Sequence, residues 1–195
     1  MPRMARNAER RTLLSDAAVR VMSRQGSRGL TYRAIDAEAG VPTGTSSNYF
    51  GSRDEIIAAL LTRISERLQP ESGSDVPLAE GTEDTRGVEV FAAYLRDIVH
   101  RLTADRDAAL ALFELRLDAT RRPSVAEALR AWRRDGLAAD VEFSRTMGLP
   151  GDRSEIVLFH YALDGLLLDR LTVPIDDDAD PDEAVTALAR RILGH

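Results

Sequence analysis

Residues 31–53 read TYRAIDAEAGVPTGTSSNYFGSR, a stretch that stops and restarts a helix in a short span. Thr31 is placed to N-cap a helix whose apolar residues Ile35 and Ala39 lie four apart, and Gly40 stands where a helix ends in a left-handed residue. Val41 then supplies an apolar turn residue. Pro42 has a fixed φ and no N–H, so it belongs at a helix start. The chain after it can remain helical only until Gly51, which predicts roughly two turns over residues 43–49. Ser52, Arg53, Asp54 and Glu55 follow as a capping-box pattern that opens a third helix, with Ile57, Leu60, Leu61, Ile64 and Leu68 on one stripe. Two short helices buttressed by longer neighbours make a helix-turn-helix.

Leu30, Thr31, Arg33, Ile35, Ala39, Gly40 and Val41, then Gly44, Thr45, Tyr49 and Phe50, resemble a known pattern. It is that of the tetracycline-repressor-like (TetR) transcriptional regulators, L-T-x-R-x-I-A-x-x-A-G-V followed by G-T-x-x-x-Y-F. Arg53 takes the place of the usual basic residue. The resemblance covers roughly residues 8–68. One departure is the Ser46–Ser47 pair, where the family commonly carries Leu-Tyr, so base contacts cannot be copied from better-known members. The resemblance implies an all-α protein with an N-terminal helix-turn-helix DNA-binding domain and a C-terminal helical bundle that dimerises and takes a ligand. Its expected function is a ligand-responsive repressor binding a palindromic DNA operator as a homodimer. On that reading Thr31, Arg33, Tyr49 and Arg53 meet phosphate, and Thr43, Thr45, Ser46, Ser47 and Asn48 face base edges. No charged side chain lies between residues 43 and 49, so discrimination falls to neutral groups, with Asn48 suited to an adenine edge.

The charge distribution agrees with such a partner. Residues 1–69 hold 11 arginines against 7 acidic residues, whereas the remainder holds 15 against 25. Phosphate attracts the basic part alone, which orients a DNA complex with the N-terminal part inward. Lysine is absent and all 26 basic residues are arginine. A chain of 195 residues without cysteine fits one or two domains and holds no disulfide framework or thiol nucleophile. No apolar run reaches membrane-spanning length and MPRMARNAERR has no apolar h-region, so a cytoplasmic location away from membranes is expected.

Upstream, a basic arm of Arg3, Arg6, Arg10 and Arg11 precedes a helix with Leu14, Ala17, Ala18, Val21 and Met22, which Gly26 should end. Downstream, residues 69–87 carry Pro, Gly, Ser and acids with little periodicity and read as a linker. The expected domains are therefore 1–69 and 70–195. Val88, Phe91, Leu95, Ile98 and Leu102 form one apolar series, and Leu112, Phe113 and Leu117 another after a break near Asp105. Pro123 and Ser124 restart a long helix through Val125, Leu129, Trp132, Ala139, Phe143 and Met147, ending near Gly148. Residues 155–171 are apolar on more than one face, and Asp180, Pro181 and Glu183 open a last helix with Val185, Leu188, Ala189, Ile192 and Leu193. That surplus predicts a two-fold dimer in which both last helices pair with their copies.

Catalytic patterns are thin. Asp97 and His100 have the i, i+3 spacing of bundle metal ligands, but no second copy exists. Asp176, Asp178, Asp180 and Asp182 alternate as in a calcium loop, yet Pro181 stands where that loop needs Gly and Ala187 where it needs Glu. No metal, cofactor or enzymatic activity is expected. A small-molecule effector is expected in the bundle, with Tyr94, Phe113, Trp132, Phe143, His160 and Tyr161 as candidate ligand-binding residues. The third helix, running on from Ser52, is expected to carry a tilt to the reading head. Two alternatives stand beside this reading: a helical effector- or partner-binding protein without DNA binding, and a helical-bundle enzyme.

Overall fold

The computed structural model describes residues 2–69 and 83–194, with side chains described for 6–69 and 87–194. Among these residues the chain is helical and no strand occurs. The helices are α1 (Pro2–Gly29), α2 (Tyr32–Glu38), α3 (Thr45–Tyr49), α4 (Arg53–Leu68), α5 (Glu83–Ala104), α6 (Arg106–Ala119), α7 (Pro123–Thr146), α8 (Arg153–Leu171) and α9 (Pro181–Ile192). The expected linker lies mostly outside the described residues, and α5 begins at Glu83, earlier than the apolar series from Val88 suggests. The basic arm is part of α1, which runs from Pro2 through a kink at Gly26.

The chain packs as two units: Met1–Gln69 with Asp105–Trp132, and Pro70–Ala104 with Arg133–His195. The first therefore reaches beyond Gln69 to take in α6 and the start of α7. In it α1 packs against α2, α4 and α6. Leu14, Ala17, Ala18, Val21 and Met22 of α1 meet Leu30, Ile35, Phe50, Ile57, Leu60 and Ile64 in one core, joined by Ala111 and Leu115 of α6 and Val125 and Leu129 of α7. Burying each large side chain contributes about 1.5–3 kcal/mol. Ion pairs lock this unit's outer side: Arg20 with Glu38 at 2.5 Å, and Arg63 with Asp16 at 2.8 Å.

In the second unit α5, α8 and α9 pack on one another. Phe91 of α5 meets Phe159 of α8 with centroids 4.7 Å apart, and the later part of α7 joins through Tyr94 and Phe143, stacked at 4.6 Å. Ile156, Phe159, Leu163, Leu167 and Leu171 bury one stripe of α8. Leu158, Tyr161 and Leu168 stand on its opposite side, exposed by 49%, 65% and 46%.

Helix starts follow local chemistry. Thr31 accepts from Ala34 N–H and Ser52 from Glu55 N–H, both at 3.1 Å. The reciprocal arm of the expected box at α4 lands one residue early, since Glu55 accepts from the Gly51 N–H at 3.0 Å. Asp105 caps α6 and Asp180 caps α9, while Asp152 and Glu155 form a complete capping box at α8.

Candidate nucleic-acid interface

The turn between α2 and α3 is shaped by two glycines. Gly40 takes φ 64° after the α2 C-cap, and Gly44 takes φ 92° as the N-cap of α3, conformations that cost a side-chain-bearing residue about 1 kcal/mol or more. This is why α3 starts at Thr45 and not at Thr43: a left-handed Gly44 cannot belong to the helix. The expected two turns are thus five residues.

Gly44 has no side chain to cap α3, and the cap comes from the preceding helix. Asp36, 1% exposed, accepts from the Gly44 N–H through Oδ2 and from the Ser46 N–H through Oδ1, both at 2.7 Å. A buried carboxylate is costly unless such charge-assisted bonds satisfy it. Ser46 is fully buried and donates its hydroxyl to the Tyr32 carbonyl at 3.0 Å. Two polar links therefore join α2 to α3. A signal for them stood in the sequence, because Asp36 occupies the place where the family pattern has Ala, next to core residue Ile35.

The expected readout residues separate accordingly. Thr43, Ser47 and Asn48 are exposed and Thr45 is half-buried. Thr45 donates to the Pro42 carbonyl and Ser47 to the Gly44 carbonyl, each steadying its own turn. Ser46 is a correction: its side chain sits between α2 and α3 and has no surface to offer a base. Thr31 and Arg33 are exposed beside the turn. Tyr49 is half-buried, with its hydroxyl donating to Asn7 Oδ1 at 3.2 Å.

Arg53 also departs from its expected phosphate role. Nη1 donates to the Leu30 carbonyl at 2.7 Å, while Nη2 donates to the Ser27 carbonyl at 2.6 Å and the Ser27 hydroxyl at 2.8 Å. Its guanidinium is spent on the connection between α1 and α2. Burial, then the nearby Arg122, lower its pKa from the ordinary value, and Asp118 and Asp54 oppose them. Arg11, which the sequence places in the basic arm, does the corresponding work for α3. It donates to the Tyr49 carbonyl at 2.8 Å and lies 4.8 Å over the Phe50 ring, a cation–π contact at the helix end that favours positive charge.

The six candidate ligand residues divide between the two units. Tyr94, Phe143 and His160 come together around Asp140, which accepts the Tyr94 hydroxyl at 3.2 Å and lies 3.0 Å from His160 Nε2. Burial, reinforced by Asp140, pushes the Tyr94 hydroxyl pKa well up, so it stays a donor. Tyr161 stands on the exposed side of α8. Phe113 and Trp132 belong to the first unit, where Arg116 lies over Phe113 and the Trp132 indole N–H donates to Ser65 Oγ. Open clefts of about 240 Å³ beside Asp54, Ser124 and Glu127 and about 390 Å³ beside Arg96, Asp180 and Arg190 are lined by none of the six. Among the described residues no helix is long and apolar enough to cross a membrane.

Known proteins are similar to this chain in sequence and in fold. The HTH-type transcriptional regulator BetI of Brucella anthropi is 34% identical over 85 residues, 44% of this chain and 42% of that protein. BetI of Rhizobium meliloti is 32% identical over 72 residues, 37% and 36% of the two chains. The chain thus spans about two fifths of the length of these curated relatives. Among solved structures, a TetR family member from Streptomyces coelicolor matches with a TM-score of 0.69 at 26% identity, over 95% of this chain and 98% of that one. The multidrug binding protein EbrR complexed with ethidium matches at 0.64 and 25%, over 94% and 98%; its complex with proflavin matches at 0.60 and 27%, over 94% and 99%. Residues 14–60 match the family described as bacterial regulatory proteins, tetR family, and residues 86–195 match the tetracyclin repressor-like C-terminal domain. More than half of the chain lies in that second match, and the chain belongs to the TetR family.

Proposed function

We propose that this protein is a ligand-responsive transcriptional repressor of the cytoplasm that binds a palindromic operator as a homodimer. The observation that carries the reading is α3 with its preceding turn: the helix is anchored by Phe50 at its C-cap, Ser46 and the Asp36 cap on one side, while Ser47 and Asn48 of the helix and Thr43 of the turn are exposed to solvent. The helix-turn-helix family match and the basic balance of residues 1–69 support it. Arg33, Thr31 and Tyr49 position the duplex, and Thr43, Thr45, Ser47 and Asn48 read it. The proposed domains are a reading domain over 1–69 and an effector and dimerisation domain over 70–195. A second copy covers the Leu158, Tyr161 and Leu168 side of α8, which supplies the apolar surface a two-fold interface needs.

For the effector, the EbrR complexes hold flat aromatic cations. The stacked Tyr94 and Phe143 beside the Asp140 carboxylate offer matching chemistry. Release requires the ligand to favour the state that cannot bind DNA, and a hundredfold preference is about 2.7 kcal/mol. Incubating the protein with fragmented genomic DNA and sequencing the retained fraction tests the DNA-binding reading. A shared palindrome is the expected result, and retention without sequence preference at physiological salt would overturn it. Titrating ethidium into the protein alone and into its operator complex, with free operator titrated separately to subtract ethidium's own intercalation, tests the coupling, and by reciprocity the protein's affinity for ethidium must fall on the operator.

A further inference from the structure

α3 makes only a short helix, so its own backbone bonds hardly fix its direction. Buried Phe50, the bond from Arg11 to the Tyr49 carbonyl and that from the Tyr49 hydroxyl to Asn7 fasten its C-terminal end to α1, and the pair of polar links to α2 holds its N-terminal end. The Asp36 carboxylate grips the Gly44 and Ser46 amides, both at 2.7 Å, and the Ser46 hydroxyl returns to the Tyr32 carbonyl at 3.0 Å. Asp36 is 1% exposed and Ser46 0%. At these positions the family pattern carries Ala and, commonly, Leu, an apolar contact that can slide and rotate. Hydrogen bonds are directional and a buried carboxylate tolerates no unpaired alternative nearby, so this exchange pins α3 at one rotation about its axis. Ser47 and Asn48 follow directly after Ser46, and their direction is set by that rotation.

We propose that Asp36 and Ser46 are positioning residues that set the sequence preference of this regulator by fixing how α3 presents Ser47 and Asn48; the proposal rests on the DNA-binding reading above. Neither side chain touches DNA. The pair makes readout depend on the angle between α2 and α3 and lets a helix bearing Ser-Ser, without the bulk of Leu-Tyr, hold one orientation.

Three proteins test it: the wild type, Asp36→Ala, and the double variant Asp36→Ala with Ser46→Leu, which restores the family's apolar pair and keeps the protein folded should the single change unfold it. Each is used to select from a random-sequence duplex library, and the amide exchange of Gly44 and Ser46 is followed in the same samples. The expected result is slow exchange in the wild type that is lost without Asp36. With it, the folded variants should show a changed consensus and about a tenfold smaller ratio of consensus to random binding, with an unchanged salt slope. A folded variant that selects the wild-type consensus with undiminished discrimination overturns the proposal, as does equally fast amide exchange at positions 44 and 46 in all three proteins. If the wild type selects nothing, the DNA-binding reading falls and this proposal with it. Protected Gly44 and Ser46 amides would then show that the failure lies in that reading and not in the Asp36 cap.

Discussion

Arg67 and Asp105 form a two-pronged ion pair, Nε to Oδ2 at 2.7 Å and Nη2 to Oδ1 at 2.6 Å. The pair ties the last turn of α4 to the residue that caps α6, because Asp105 Oδ1 also accepts from the Ala108 N–H at 3.1 Å. Both side chains are about four-fifths covered, so solvent screens them less than an open surface pair. Asp105→Ala removes the pair and the cap and should cost about 2 kcal/mol, whereas Asp105→Asn keeps an acceptor for the cap and should cost about 1 kcal/mol. Urea denaturation of the two variants checks the order. Equal losses would mean that the cap contributes nothing.

Arg53→Ala removes the guanidinium donor from the Leu30 carbonyl and from the Ser27 carbonyl and hydroxyl, and hydrogen bonds to a charged group contribute about 1.5–3 kcal/mol. A loss of about 2 kcal/mol in stability is expected. Arg53→Lys should recover little of it, since an ammonium on a flexible stem cannot reproduce the fork. In a gel-shift series the folded variants should keep the wild-type salt dependence. A slope lower by about one ion would instead return Arg53 to the phosphate backbone.

Asn48 is exposed on α3 and its amide can bridge an adenine edge with two hydrogen bonds. Asn48→Ala should lose about 1–3 kcal/mol of discrimination at a single operator position while random DNA binds as before. Competition binding against single-position operator variants measures this. Equal weakening on specific and random DNA would contradict the assignment.

Leu168 is 46% exposed on the same side of α8 as Tyr161 and Leu158. Placing a charge there, Leu168→Glu, buries an unpaired carboxylate in any two-fold contact across that face. Sedimentation at micromolar concentration should then change from a dimer to a species of 21.4 kDa. A variant that still sediments as a dimer would place the interface elsewhere.

Asp152 caps α8, and its hydrogen bonds from Ser154 and Glu155 draw its carboxyl from 3.8 down to about 2. A depressed folded-state value stabilises the fold fully above the unfolded value and loses that contribution as pH falls through the folded one. The stability gap between wild type and Asp152→Ala should accordingly be widest above pH 4 and close between about pH 4 and 2. Denaturant midpoints across that range decide it, and a gap that does not narrow would show that the carboxylate charge plays no part in the cap.

What the sequence determined by itself was local. Thr31, Ser52, Asp105 and Asp180 stand within three residues of the amides they cap, and the apolar periodicity of α1 and α4 is complete within each helix. Such signals need no knowledge of where the rest of the chain lies, so the all-α architecture and the helix-turn-helix were readable from spacing. Tertiary structure decided what depends on distance in space. Asp36 reaches amides eight and ten residues ahead, and Arg53 reaches carbonyls 23 and 26 residues back. Whether Ser46 faces DNA or α2 turns on the rotation of a five-residue helix, which its own sequence is too short to fix. The six aromatic and histidine candidates share one composition signal, but the packing of α5, α7 and α8 gathers only Tyr94, Phe143 and His160 around Asp140. Burial satisfies a polar group only through partners the fold brings to it, and those partners are distant in the chain.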